Sequence, residues 1–376
     1  MARTGIMICG HGSRSKSAEQ EFALLAKGLR ERYPDTPVEY GFLEYSAPNI
    51  HMGLDALRAA GVTEIVAVPG MLFAATHAKN DIPSVLTTYR ERHPDLTIHY
   101  GRELGLHPQM IAAFEARILQ ALGADHVHDG DLYDTMLVVV GRGTSDTLAN
   151  AEAARLTRIV SENLGFGWSE TVYSGVTFPS VGRGLEMALK LGYRKIVVAP
   201  YFLFSGRLID RIYGYVDRVA ERAPHVTFLK AHYLADQDHV IDTFVERIAE
   251  AQSGTIVETQ DLMASFRDRL AKGEIEVHHH HAEFRDPLDD ETAHGEHHDH
   301  HHSHDHGHSH DHGHSHDHHH GHSHGVYRHI AHPNGPRTMI DEGVCCCFMS
   351  QFPATVIDEE RALRADRSTE DAPTDR

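Results

Sequence analysis

The chain has 376 residues and a formal charge of −19, from 35 Lys and Arg against 54 Asp and Glu. That balance argues against generic attraction to a nucleic-acid backbone or an anionic bilayer, and no apolar run reaches the about 18 residues of a membrane span. Three of the four cysteines are adjacent. A disulfide framework is therefore excluded, and with no signal-peptide pattern at the start a reducing cytoplasm is the expected location.

In chain order, residues 6–9 form a short, wholly apolar run, which suits a central parallel strand covered on both faces. A glycine turn and a helix at 17–32 follow. Next come a strand at 38–42, a helix at 50–60, a strand at 65–68, a helix at 81–92, a strand at 96–100 and a helix at 107–122. Residues 136–140 restart the series. Helices at 146–163, 180–191, 209–222 and 238–250 alternate with strands at 171–176, 195–199 and 226–230. Strands alternating with such helices predict βαβ units and parallel sheets. The expected fold class is α/β, with two tandem doubly wound domains, 1–130 and 131–252, facing each other in one chain. The segment 253–273 carries Leu262, Met263, Phe266 and Leu270 at helical spacing and predicts a short amphipathic helix at 258–272.

Composition then breaks. Of the 35 histidines, 24 fall between His278 and His332, and from His294 to His324 no apolar side chain interrupts the His, Asp, Gly, Ser pattern. With nothing to bury, such a stretch cannot offset the entropy of ordering. Residues 274–344 are thus expected to be a disordered metal-binding segment, followed over 345–376 by a cysteine cluster and an acidic tail.

The two halves are related by a shift of 131 residues. Gly10 falls on Gly141, Gly12 on Gly143, Pro48 on Pro179, Gly53 on Gly184, Gly61 on Gly192, Pro69 on Pro200, and Leu72-Phe73 on Leu203-Phe204. With the same strand and helix pattern in both halves, duplication is the reading.

Ligands of doubly wound sheets bind beyond the carboxyl ends of the strands, where 10–13, Glu44 and 70–79 are expected. Gly10 and Gly12 flank His11 and allow a tight turn. Ser15 replaces the third glycine of a dinucleotide fingerprint and no Walker pattern occurs, so no nucleotide is expected. The loop 70–83 is apolar as far as Ala75 and then polar, which suits a wall for a large flat ligand with His77 at its rim. Asp81 and Pro83 read as helix-start residues, Asp81 as a cap. The repeat supplies a control: His11 becomes Arg142, His77 becomes Leu208 and Glu44 becomes Gly175. Chemistry is therefore expected in the first half. His11, His77 and Glu44 make a two-imidazole, one-carboxylate set suited to a divalent first-row metal or to proton transfer near neutral pH.

The stretches Gly10-His-Gly-Ser-Arg14, Phe42-Leu-Glu-Tyr-Ser-Ala-Pro-Asn-Ile50 and His77-Ala-Lys-Asn-Asp-Ile-Pro83 resemble the long-form sirohydrochlorin cobaltochelatases of the class II chelatase family. The resemblance covers residues 5 to about 250 and extends to the histidine-rich insert. It implies ATP-independent insertion of Co²⁺ into sirohydrochlorin, with release of two protons, on the cobalamin route. Sirohydrochlorin ferrochelatase and nickelochelatase are the near alternatives, because the motifs fix the reaction better than the metal. The family's paired active-site histidines carry over onto His11 and His77, and Glu44 matches an acidic family position. Arg14, Lys79, Arg142 and Arg207 lie near the expected cleft as partners for substrate carboxylates. Long family members carry a Met-x-Cys-x-x-Cys motif associated with an iron–sulfur cluster. Here Cys345, Cys346 and Cys347 are adjacent instead, which leaves an iron–sulfur cluster, a thiolate metal site and no function all open. A metal storage or delivery protein built on the histidine tract is the rival of a different class, and a tetrapyrrole carrier the third. Since duplication supplies both cleft walls, a monomer is expected to suffice.

Overall fold

The computed structural model describes residues 3–175, 177–254 and 262–273. The expected histidine-rich segment, Cys345, Cys346, Cys347 and the acidic tail lie outside the described residues.

Two four-stranded parallel sheets frame the molecule. In the first, β1 (Thr4–Gly10), β2 (Val38–Phe42), β3 (Glu64–Pro69) and β4 (Thr97–Tyr100) take the order β2-β1-β3-β4. In the second, β5 (Thr135–Gly141), β6 (Trp168–Tyr173), β7 (Lys195–Pro200) and β8 (Thr227–Lys230) take the order β6-β5-β7-β8. The crossovers are α1 (Lys16–Arg32), α2 (Ile50–Ala59) and α3 (Ile82–Arg92) in the first half, and α5 (Thr147–Leu164), α6 (Val181–Lys190) and α7 (Arg207–Arg222) in the second. Strands β1 and β5 lie inside their sheets with both faces covered, which is why their sequences are continuous apolar runs rather than alternating ones. Strand β6 starts at Trp168, three residues before the apolar pattern would place it. It is an edge strand, and its first three residues stay wholly or partly exposed while pairing with β5.

The two last helices cross over. α4 (Pro108–Leu122) packs on β7, β8 and α5 of the second half, and α8 (Asp238–Ser253) packs on β3, β4 and α1 of the first. One apolar cluster consequently joins Ile6, Ile8, Phe114 and Ile118 to Leu137, Val139, Phe244 and Ile248. The halves share a core in addition to facing each other. Arg247 of α8 is buried in this region, where it donates to the Leu104 carbonyl and pairs with Glu250. α9 (Leu262–Ala271) then returns to the first half, burying Met263 and Phe266 among the residues under α2 and α3.

The 131-residue shift holds through β3 and β7 but not beyond. The Gly101 amide donates to the Ala67 carbonyl as the Ala231 amide does to Val198, and Leu104 to Met71 as Leu234 to Phe202. In each pair the acceptors keep the shift and the donors fall one short of it. The first half therefore holds one extra residue between β3 and β4.

Candidate active site

Three loops at the carboxyl ends of β1, β2 and β3 meet. After β1, Gly12 has φ +95°, and a Cβ there would run into the Glu44 carbonyl oxygen. The Glu44 amide in turn donates to the His11 carbonyl at 3.0 Å. Only glycine permits this approach, and it sets His11 beside Glu44. The second half repeats the backbone: Gly143 has φ +78° against the Gly175 carbonyl, and the Gly175 amide donates to Arg142. It repeats the cradle without the imidazole or the carboxylate.

After β3, the chain enters a π-helical turn, His77–Asp81, before α3. Here the extra residue is absorbed. Buried Ala78 corresponds to buried Ile209, and buried Ile82 to buried Ile212, so three residues stand against two. A π-turn is the form in which a helix takes in one residue without breaking.

The turn brings His77 to His11. Their Nε2 atoms are 2.9 Å apart and the rings are nearly perpendicular, at 89°. His11 Nδ1 lies 3.1 Å from the Gly12 carbonyl oxygen, and His77 Nδ1 lies 2.6 Å from Asp81 Oδ2. A carbonyl and a carboxylate only accept, so both Nδ1 atoms carry hydrogen. Neutral rings then point two Nε2 lone pairs at each other. A cation satisfies both, either a proton shared on the line between them or a metal ion set off that line. Burial, then the charges of His77 and Arg142, hold the His11 imidazole well below the ordinary histidine range. Burial likewise raises the Glu44 carboxyl, partly offset by His77, and its Oε1 is buried without a hydrogen-bond partner.

Asp81 corrects the sequence reading. Its side chain makes no helix-cap hydrogen bond; fully buried, it accepts from His77 instead. The i, i+4 spacing to His77 was a signal for that pairing, as was the register slip that builds the turn. The structure brings His11 and His77 into contact. Among the described residues, however, no group of three or more His, Cys, Asp or Glu side chains is arranged to hold a metal ion. The site is an imidazole pair with Glu44 nearby as a charged neighbour.

The expected cations are placed differently from one another. Lys79 bonds to Asp146, the cap of α5, and so ties the two walls together. Arg14 lies 4.8 Å over the Tyr45 ring. Arg142 and Arg207 are exposed. Tyr45 was not foreseen. It adopts φ +63°, a left-handed conformation unusual outside glycine, and burial and Glu44 raise its phenol. Among the described residues no helix is long and apolar enough to cross a membrane.

The CbiX family profile matches residues 5–121 and 136–251. The chain is 33% identical over 252 residues to the sirohydrochlorin cobaltochelatase of Priestia megaterium, covering 67% of this chain and 81% of that protein. It is 29% identical over 252 residues to the sirohydrochlorin ferrochelatase of the same organism, covering 66% and 91%. The solved structure of SirB from Bacillus subtilis with Fe³⁺ superposes with a TM-score of 0.59 at 27% identity, over 67% of this chain and 98% of that one.

Proposed function

The chain belongs to the CbiX family of tetrapyrrole chelatases, and on that footing we propose that it inserts a divalent first-row metal, Co²⁺, into sirohydrochlorin without nucleotide. The observation that carries the reading is the pair of facing Nε2 lone pairs. Two imidazole nitrogens about 2.1 Å from one metal stand about 3.0 Å apart at a right angle and about 3.4 Å apart at the tetrahedral angle, so the pair would have to open and turn only a little to exchange a shared proton for an ion. His11 and His77 hold the ion, and insertion is an exchange. Each Nε2–metal bond that breaks frees a lone pair, and each pyrrole nitrogen that loses a proton gains the metal. Two lone pairs receive two protons, which balances the charge of one divalent ion. The depressed basicity of His11 speeds release of the proton to solvent, and Glu44 is the nearby carboxylate that relays it. Asp81 fixes the His77 ring so that Nε2 faces the cleft. Arg14 and Arg142 are assigned to the substrate carboxylates, and Arg207 to the outer rim. Lys79 joins them when a substrate carboxylate takes the place of Asp146.

Iron is the rival metal, favoured by the ferrochelatase relative. Anaerobic competition among Co²⁺, Fe²⁺ and Ni²⁺ at limiting metal, with the product identified by its spectrum, tests the choice. Purified protein that fails to raise insertion above the spontaneous rate with any of the three would end the enzymatic reading. The histidine tract is proposed as a metal reservoir for this site. Removing residues 278–332 should slow turnover at scarce buffered Co²⁺ and leave it unchanged at saturation.

A further inference from the structure

The π-turn that carries His77 has an incomplete backbone. In the π register the Ile82 amide donates to the His77 carbonyl, so the N–H that Pro83 lacks would have served the Ala78 carbonyl, which takes the Tyr100 hydroxyl instead at 2.9 Å. Arg269 of α9 braces the next two residues of the turn from outside: its Nη2 donates to the Lys79 carbonyl oxygen at 2.7 Å, and its Nη1 donates to Asn80 Oδ1. Asn80 is buried, so its side-chain oxygen is satisfied from within the protein. The planar guanidinium fork suits two acceptors on consecutive residues. Anchoring comes from Met263 and Phe266, which are buried in the first half. Among the described residues the second half shows no counterpart of this clamp. There α7 begins at Arg207 as an ordinary helix, with one residue fewer and no π-turn. The clamp thus coincides with the extra residue, and it comes from a helix outside the two stretches matched by the family profile, 5–121 and 136–251.

We infer that Arg269 is a positioning residue for the imidazole pair, acting through Lys79 and Asn80 on the turn that aims His77 at His11. The inference rests on the reading of His77 as a carrier of metal and protons. It makes the segment after the second repeat a working part of the site.

The test uses the full-length chain and steady-state Co²⁺ insertion, measured well below each variant's thermal midpoint. Arg269→Met keeps the aliphatic stem and removes both hydrogen bonds. It should lower kcat about tenfold with KM for sirohydrochlorin within about twofold of wild type, since misaimed groups cost rate before they cost binding. Arg269→Lys restores one donor and should recover about a third of the rate. Met263→Ala loosens the packing of α9 but keeps the guanidinium, and should lower the thermal midpoint with a smaller loss of kcat than Arg269→Met. Wild-type kcat in Arg269→Met overturns the inference, and so does a loss in Met263→Ala equal to that in Arg269→Met. If Arg269→Met does not fold, Arg269→Lys carries the test alone: reduced kcat at constant KM supports the inference and wild-type kcat overturns it. His77→Ala separates the two readings. If it turns over like wild type, the assignment of the site itself fails. If it is inactive while Arg269→Met is unimpaired, only the positioning role fails.

Discussion

Four side chains, His11, His77, Asp81 and Glu44, are the ones proposed to carry the chemistry at the residue scale, and the environments of His11 and Glu44 give opposite signs. Asp81 is buried against His77, so Asp81→Asn should preserve the fold yet lower kcat about 10- to 100-fold. The amide can present an N–H to His77 Nδ1, which moves the ring hydrogen to Nε2 and blocks one lone pair. His11→Ala and His77→Ala should each lower turnover by at least about 100-fold, read from initial rates at saturating metal. His11 is held neutral in the fold, whereas the unfolded chain takes up a proton below about pH 6.5. The unfolded state then binds more protons, so stability falls as pH drops through that value. His11→Gln should flatten this decline between about pH 6.5 and 5, seen in urea midpoints against wild type. Glu44 has the reverse sense: its raised carboxyl makes the ionised form costly above the folded value. Glu44→Gln should therefore raise the thermal midpoint at pH 8 while slowing insertion. The stability gain should vanish as pH falls toward the ordinary carboxyl value of about 4.3. That His11, His77 and Glu44 lie at neighbouring strand ends was legible from the loops that carry them, and the second half, which lacks all three, singled them out. Asp81 was not, because a carboxylate two residues before Pro83 looks like a cap, and the left-handed backbone of Tyr45 leaves no compositional trace.

At the scale of elements, the order of strands and helices followed from periodicity, and the largest displacement, at β6, arose where an edge strand carries polar residues. The π-turn was invisible to periodicity because the spacing of four from Ala78 to Ile82 is as helical as the spacing of three from Ile209 to Ile212. It shows only when equivalent hydrogen bonds of the two halves are compared. The duplicated cradle offers a matched pair of substitutions. Gly12→Ala and Gly143→Ala each place a Cβ on a carbonyl at positive φ. Each should cost more than about 2 kcal/mol in chemical denaturation. Only Gly12→Ala should also lower kcat, measured at low temperature where both variants are folded, because only there does the displaced loop carry an imidazole.

At the scale of the molecule, duplication was readable and the exchange of last helices was not. The apolar faces of α4 and α8 fit either sheet equally well on sequence grounds. Because α8 covers the first sheet, residues 1–130 expressed alone should not give a folded monomer. Size-exclusion chromatography should show dimer or aggregate, and a stable monomer with a native-like CD spectrum would count against the shared core. The crossing helices also limit how the molecule can move. Each wall of the cleft is rooted in the other through the cluster of Phe114, Leu137 and Phe244, and Lys79 and Asp146 fasten the walls near the histidines. A jaw that swings about a hinge would have to break the shared cluster as well as the Lys79–Asp146 pair. On the function proposed above, a flat macrocycle would then enter between walls that share one core. On the same reading the metallated ring, of almost the same outline, would leave as it came, and its release would turn on the loss of contacts to the ion more than on an opening of the halves.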